Sequence, residues 1–119
     1  MINTKKTITV DVVNKQLEAY NSQNYEAFAA CYCNDIVSFD LNTSQKIEGM
    51  SGESFFMHYF NKFQKNPNIY CAVIERIVNG NLVIDKEQIF NFEGNAHSEL
   101  VIYQVDDGLI SKMWFKRDA

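Results

Sequence analysis

Three tight-turn signals in the C-terminal half of the chain constrain its fold more than any other feature of the sequence. They are Asn79-Gly80, Glu93-Gly94-Asn95 and Asp106-Asp107-Gly108. Asn-Gly between two apolar runs is a strong signal for a two-residue β-hairpin turn, and the other two signals combine glycine with polar turn residues. The C-terminal half is therefore predicted to form an antiparallel meander. Its four predicted strands are 69–78, 82–92, 97–105 and 109–116.

The N-terminal half carries helical periodicity instead. Apolar residues recur at the spacing of one helix face from Val10 to Tyr20, and Asn24 can cap a short second helix that runs to Tyr32. Segment 36–41 alternates as a strand, a polar loop follows it, and segment 55–63 places its aromatic residues on one arc of a third helix. This order predicts an α+β domain with three N-terminal helices packed on a curved antiparallel sheet.

Composition bounds the class of protein. A chain of 119 residues fits one domain, which we expect to span residues 1–119, and its 46% hydrophobic content can fill a sizeable core. The net charge of −4 argues against nucleic acid or an anionic membrane as the main partner. Three cysteines without a C-x-x-C pair predict reduced thiols in the cytoplasm and no metal site, and no motif predicts a cofactor.

The order of these elements resembles the nuclear transport factor 2-like superfamily, in its ketosteroid isomerase-like and SnoaL-like branch. Segment 21–40 reads NSQNYEAFAACYCNDIVSFD and is similar to the helix–helix–strand opening of ketosteroid isomerase-like proteins. Gly49 with the Phe-rich helix after it, and segments 76–87 and 103–115, are similar to the later helix and the meander. The resemblance covers nearly the whole chain. It implies a cone-shaped fold around a ligand-sized pocket, and a homodimer through the outer face of the sheet.

Strand alternation divides each strand between two faces, but composition alone does not decide which face is concave. The hairpin turn is expected to pair Val78 with Asn81. The resemblance implies that Lys86, Gln88 and Phe90 face inward. The residues expected to contact a small apolar ligand are then Gln16, Tyr20, Tyr59, Phe60, Gln88, Phe90, Val101, Tyr103, Met113 and Phe115.

The opposite face of the hairpin carries Asp85 and Arg76. These residues are expected to lie diagonally across the two strands and to form a surface salt bridge, which we favour over a catalytic role for Asp85. Trp114 is expected on the outer face of the sheet, as a dimer or packing residue.

Asp40 matches the general base of ketosteroid isomerases. Such a base moves a proton on a carbon next to a carbonyl, and it needs a partly desolvated carboxylate. The alternative is a polar residue at a strand end that satisfies a backbone group. The positions that match the oxyanion hole of those enzymes are Gln16 and Val101. Because valine cannot donate a hydrogen bond, steroid isomerisation by the known mechanism is not expected.

His97 and Glu99 complete the set of candidate acid–base residues. They lie two apart on one strand and share a face, so Glu99 is expected to hold a proton on His97 and raise its pKa. One of the two residues Asp40 and His97 would then act as the base, and the other would act as the acid. The alternative is a solvent-exposed His97 beside the turn at Asn95.

Three functions stay open from the sequence, because this fold hosts both catalysts and binding proteins. The first is a cofactor-independent isomerase or lyase acting on a small apolar carbonyl or cyclic substrate. The second is a non-catalytic binding protein for an apolar ligand, and the third is a structural dimerisation module. A raised pKa on Asp40 inside a hollow cone would favour the enzyme. A hollow cone without acids that converge on it would favour the binding protein, and an interior filled by side chains would favour the dimerisation module.

Overall fold

A computed structural model describes residues 4–117 of the chain, so the predicted domain of residues 1–119 includes short termini outside the described part. Three helices and six strands make up the described residues. In chain order they are α1 Thr4–Asn21, α2 Tyr25–Ala29, β1 Tyr32–Asp40, β2 Lys46–Ser51, α3 Glu53–Lys65, β3 Tyr70–Asn79, β4 Leu82–Phe92, β5 Asn95–Asp106 and β6 Leu109–Arg117.

The six strands form one sheet in the order β2-β1-β6-β5-β4-β3. Strands β1 and β6 run parallel and the other neighbours antiparallel, so the sheet is mixed rather than wholly antiparallel. A parallel pair needs a long connection, and α3 with the first three strands of the meander provides one. The predicted α+β class, with N-terminal helices on a curved sheet, is confirmed.

Two sequence predictions near β1 are wrong. The segment predicted as a polar loop contains β2, which pairs with β1 through Val37–Ser51 and Phe39–Lys46. Because β2 is an edge strand without a fully buried residue, its sequence lacks an apolar alternation that would identify it. The second helix also ends before Tyr32, which begins β1 and lies opposite Ile110 of β6.

Aromatic side chains fill much of the space between the helices and the sheet. The ring of Phe28 from α2 is 1% exposed and lies 4.8 Å from the rings of both Tyr32 and Tyr59. Helix α3 buries Phe55, Tyr59 and Phe63, which follow one another at four-residue spacing. Burial of each such ring contributes about 1.5–3 kcal/mol to folding. Within residues 4–117, no helix has the length and apolar character needed to cross a membrane.

The β3–β4 hairpin has a different register from the predicted one. Asn79 pairs with Leu82, so Gly80 and Asn81 form the turn, with Gly80 at φ +59° in the left-handed region that glycine favours. The predicted pairing of Val78 with Asn81 is therefore wrong. As a result, Arg76 lies directly opposite Asp85 rather than diagonally from it.

A β-bulge in β4 decides which face of that strand is concave. The pair next to the turn of the β4–β5 hairpin is Phe92 with Asn95. If the strands continued from this pair without a bulge, Gln88 would lie opposite Glu99. The register shifts between Ile89 and Phe92, so Glu87 lies opposite Glu99 instead. One inserted residue reverses the face of every side chain beyond it. The inward face of β4 is therefore the one that carries Glu87, and the prediction of an inward Gln88 is wrong.

Candidate functional site

The helices and the concave face of the sheet enclose a cavity of about 20 Å³. This volume is close to the room that one water molecule needs. The interior is thus nearly filled by side chains in this conformation. Seven residues predicted from the sequence do line this cavity. They are Gln16, Tyr20, Tyr59, Glu99, Tyr103, Met113 and Phe115.

A chain of hydrogen bonds crosses the middle of the cone and ends on Glu87. The hydroxyl of Tyr32 donates to Gln16 Oε1 at 2.9 Å, and Gln16 Nε2 donates to the hydroxyl of Tyr103 at 3.3 Å. The Tyr103 hydroxyl in turn donates to Glu87 Oε2 at 2.7 Å. All four side chains are buried, and they come from α1, β1, β4 and β5. This network holds the Glu87 carboxyl group in a fixed orientation.

Removal from water raises the pKa of Glu87 from 4.5 to about 7. This value also includes smaller effects, since hydrogen bonds from Tyr103 and Cys71 lower the pKa and the charges of Glu99 and Asp85 raise it. Among the described residues, no ion pair joins Glu87 to a cation. A carboxyl group with a pKa near neutrality can both give and take a proton at physiological pH, which suits acid–base catalysis.

Five side chains form the mouth of the cone, a term used here for Lys62, Phe92, His97, Glu99 and Arg117. The Lys62 ammonium lies over the ring of Phe92, with 4.9 Å between its nitrogen and the ring centroid, and Arg117 lies 6.0 Å from the same ring. Glu99 Oε2 is 3.9 Å from both His97 Nε2 and Arg117 Nε. Burial raises the pKa of Glu99, and the two cations partly offset this shift.

Asp40 does not line the cavity, although its strand register points it toward the concave face. Its Oδ1 accepts hydrogen bonds from the backbone N–H groups of Asn42, at 2.7 Å, and Thr43, at 3.3 Å. These contacts close the β1–β2 turn. The alternative interpretation of Asp40, as a strand-end residue that satisfies backbone groups, describes its position. Its predicted role as general base has no geometric support.

His97 and Glu99 share a face as predicted, but the expected rise in the pKa of His97 is wrong. Burial is the first cause that lowers this pKa, and the charges of Arg117 and Lys62 lower it further. His97 is not fully solvent-exposed either, since its side chain is 17% accessible and its ring lies 5.6 Å from that of Phe92. A mostly neutral imidazole at the mouth is therefore expected at neutral pH.

Four residues predicted to contact a ligand do not line the cavity. Gln88 and Phe90 lie on the outer face of β4 because of the bulge, and Phe90 is 40% exposed. Phe60 follows Tyr59 on α3, so it points away from the core arc and packs on Tyr25 with 5.2 Å between ring centroids. Val101 shares the inward face of β5 with Glu99 and Tyr103, but it is only 1% exposed and does not contribute to the cavity wall.

The predicted pair of Arg76 and Asp85 is present but is not a surface salt bridge. Arg76 Nε and Nη2 donate to the two oxygens of Asp85 at 2.7 and 2.9 Å, and Nη1 donates to Asn14 Oδ1 at 2.6 Å. The Asp85 side chain is 1% exposed. This bidentate geometry satisfies the buried carboxylate, so the pair is structural.

Sequence reasoning missed Glu87 and Lys62. A glutamate beside Asp85 is typical of a solvated strand face, although Val83 and Ile89 on the same face provided a signal for burial. Lys62 lies three residues after Tyr59, which places it at the edge of the buried arc of α3. Within residues 4–117, no group of His, Cys, Asp and Glu side chains is arranged to hold a metal ion.

No protein-family model matches this chain, and no curated protein sequence matches it significantly. Solved structures do match, at low identity. A protein from Kribbella flavida that is proposed to be a ketosteroid isomerase has a TM-score of 0.78 at 19% identity, over 98% of this chain and 82% of that one. An NTF2-like protein of unknown function from Cytophaga hutchinsonii has a TM-score of 0.74 at 17% identity, over 92% and 89%.

A SnoaL-like protein of unknown function from Burkholderia thailandensis also matches, with a TM-score of 0.75 at 10% identity, over 96% of this chain and 97% of that one. These similarities confirm the predicted nuclear transport factor 2-like fold. At such low identity they establish the fold and leave function to the residues of the site.

Proposed function

We propose that this chain is a small-molecule pocket protein that performs acid–base chemistry on a small carbonyl or cyclic compound, with Glu87 as the proton-transferring group. The observation that carries this proposal is the buried Glu87 carboxyl, which has a pKa of about 7 and no cation to pair with among the described residues. A module with a purely structural role gains nothing from such a group, because burying an unpaired carboxyl costs stability.

The network around Glu87 suits proton transfer on carbon. When ionised, Glu87 can remove a proton from a carbon next to a carbonyl, and it can return the proton to a different atom of the same molecule. The Tyr20 hydroxyl is also buried, lines the cavity and has no hydrogen-bond partner among the described residues. It is positioned to donate to a ligand carbonyl and so stabilise the negative charge that develops there.

The test uses proton exchange, which needs no knowledge of the natural substrate. Small cyclic ketones are incubated with the protein in D₂O, and loss of the protons next to the carbonyl is followed by ¹H NMR. We expect the protein to accelerate exchange for at least one ketone, and Glu87→Gln to lower that rate by about a hundredfold or more. Glu75→Gln, at an exposed position of β3, is the matched control.

Asp40→Asn belongs in the same experiment because Asp40 was the base expected from the sequence. We expect this variant to keep the exchange rate of the unmodified protein. Loss of exchange in Asp40→Asn together with full activity in Glu87→Gln would assign the base to Asp40 and refute the present proposal.

A second candidate function, a structural module with a filled core, is favoured by the small cavity of about 20 Å³. Native mass spectrometry separates the two candidates. A co-purified small molecule, released on denaturation, supports the pocket. A protein that releases no small molecule, binds no hydrophobic probe and catalyses no exchange of ketone protons supports the structural module with a filled core.

For the partner, we propose a homodimer through the outer face of the sheet. Directly paired residues form an apolar row across five strands of that face, and Ile77 in this row is 64% exposed. The row consists of Phe39, Trp114, Ile102, Ile84 and Ile77. We expect a dimer mass that Ile102→Arg reduces to a monomer, because a charge at the centre of an apolar interface is strongly unfavourable. A monomeric unmodified protein at micromolar concentration would refute this part.

A further inference from the structure

The Lys62 ammonium at the mouth of the cone is a half-buried cation with aromatic rings for neighbours. Its nitrogen lies 5.6 Å from the centroid of Tyr20, 5.1 Å from Tyr59 and 4.9 Å from Phe92. Among the described residues no carboxylate forms an ion pair with it. Rings stabilise a cation through their faces but do not neutralise its charge. Burial lowers the pKa of Lys62, and the charges of Glu99 and Glu87 partly offset this shift. A ligand carboxylate in the cavity that Lys62 lines would therefore stabilise a partly desolvated ammonium.

A second cation lies next to the same Phe92 ring. Arg117 lies 6.0 Å from the centroid of Phe92, and its side chain is 56% exposed. Its Nε is 3.9 Å from Glu99, which is much longer than a charge-assisted hydrogen bond of about 2.8 Å. Of the five mouth residues, which all lie in the described part of the chain, Lys62 and Arg117 are cationic and Glu99 is anionic. These five side chains therefore carry a net positive charge in a chain whose net charge is −4.

The mouth and Glu87 are connected along the sheet. Glu99 pairs directly with Glu87 across β4 and β5, and both line the same cavity as Lys62. A molecule bound at the mouth by one end would therefore have its other end directed toward Glu87, and the side chains that nearly fill the cavity would have to move to admit it. The Phe92 ring now lies against both cations, and its displacement would open their donor groups to such a molecule.

We propose that the mouth is a carboxylate-binding subsite and that the ligand of this protein is a small organic acid. Lys62 and Arg117 hold its carboxylate, and its apolar or carbonyl-bearing part reaches Glu87. This inference rests on the proposed function and makes the ligand class more specific, because a neutral apolar compound would leave Lys62 without an ion-pair partner among the described residues and Arg117 with only the long contact to Glu99. An ammonium and a guanidinium at one site form charge-assisted hydrogen bonds that an uncharged ligand cannot match.

The test compares small acids with their own amides, which have nearly the same shape and no charge. Benzoate with benzamide and hexanoate with hexanamide are titrated into the full chain at low salt, and binding is followed by ¹H–¹⁵N NMR. We expect each acid to bind about tenfold tighter than its amide or better, with shifts at the mouth. Lys62→Met, which keeps the length of the side chain, should remove this preference by weakening acid binding much more than amide binding.

Lys65→Met is the matched control, because Lys65 is an exposed lysine at the end of the same helix. It should keep the full preference for the acids, and the thermal midpoint of each variant is measured to show that it folds. Arg117→Met should weaken acid binding by a smaller factor than Lys62→Met, because Arg117 is more exposed.

The outcomes distinguish this inference from the proposed function. Equal affinity for acids and amides at the cavity overturns the carboxylate subsite and leaves the acid–base pocket standing. Binding of neither class overturns the pocket and this inference with it. A preference for acids that survives both Lys62→Met and Arg117→Met places the carboxylate elsewhere and also overturns the inference.

Discussion

Asp85 and Glu87 lie two residues apart on the same face of β4, and both are nearly inaccessible, at 1% and 4% exposure. Asp85 receives two short hydrogen bonds from the Arg76 guanidinium, and this contact raises the pKa of Arg76. Glu87 receives a hydrogen bond from neutral Tyr103 and has no cation among the described residues. Burial alone therefore does not make a proton-transferring group. The charge of the facing residue decides whether a buried carboxyl is structural or chemically active.

The largest effect is expected where the paired carboxylate loses its partner. Arg76→Met leaves Asp85 buried without a counter-charge, and we expect a loss of about 3–5 kcal/mol in the free energy of unfolding. Urea denaturation measures this change. Lys86→Met, at an exposed position on the opposite face of the same strand, is the control and should change stability by less than about 0.5 kcal/mol. A similarly small change in Arg76→Met would show that the pair does not hold the sheet as described.

Replacing Glu87 should have the opposite effect on stability from replacing Arg76, and the size of this effect should depend on pH. Its pKa is raised from 4.5 to about 7 on folding, so the folded protein binds the proton more tightly than the unfolded chain. Tighter proton binding in the folded state stabilises the fold. This contribution is fully present below pH 4.5 and is lost as the pH rises through 7. Glu87→Gln keeps an acceptor for Tyr103 and should stabilise the protein by about 3 kcal/mol at pH 8, with little effect at pH 4.

Thermal unfolding of Glu87→Gln across this pH range is the measurement. Asp85→Asn is the comparison within the same strand, and it should destabilise the protein at pH 8 because Arg76 loses its charged partner. If the thermal stability of the unmodified protein and of Glu87→Gln depended on pH in the same way, Glu87 would not have a raised pKa in the folded state. The proposed difference between Asp85 and Glu87 would then be wrong.

The smallest effect is expected from Tyr103→Phe, which removes the hydrogen bond to Glu87. We expect a loss of about 1 kcal/mol in stability and a further rise in the pKa of Glu87, because the bond from Tyr103 lowers that pKa. A ¹³C NMR titration of the glutamate carboxyl groups follows the pKa. Tyr70→Phe, at a 49%-exposed position, is the control. An unchanged or lower pKa in Tyr103→Phe would show that the Tyr103 bond does not favour the ionised form.

Much of the architecture could be predicted from local signals. The turn signals and the helical periodicities correctly indicated the meander and the three helices, because turn chemistry and amphipathic spacing are properties of short segments. The inward faces of β5 and β6 were also predicted, and Tyr103, Met113 and Phe115 do line the cavity. The edge strand β2 was missed because an exposed strand needs no apolar pattern.

The candidate site was harder to predict because its residues depend on contacts between distant segments. Asp40 was chosen from the resemblance, and its hydrogen bonds to the following turn are a local feature that the sequence also allowed. The resemblance places Glu87 on the outer side of the sheet, which is wrong, and the bulge near Phe90 that turns it inward carries no reliable signal in a single sequence.

The sequence by itself determined the order of helices and strands, the positions of the turns and the fold that they build. These depend on interactions between residues close together in the chain. Only the tertiary structure decided which acid is the reactive one. A single inserted residue in β4 turns Glu87 inward, and the position of Arg76 supplies a counter-charge to Asp85 and none to Glu87. Both results arise from register between strands, and a shift of one residue exchanges the two faces of a strand without changing its local pattern.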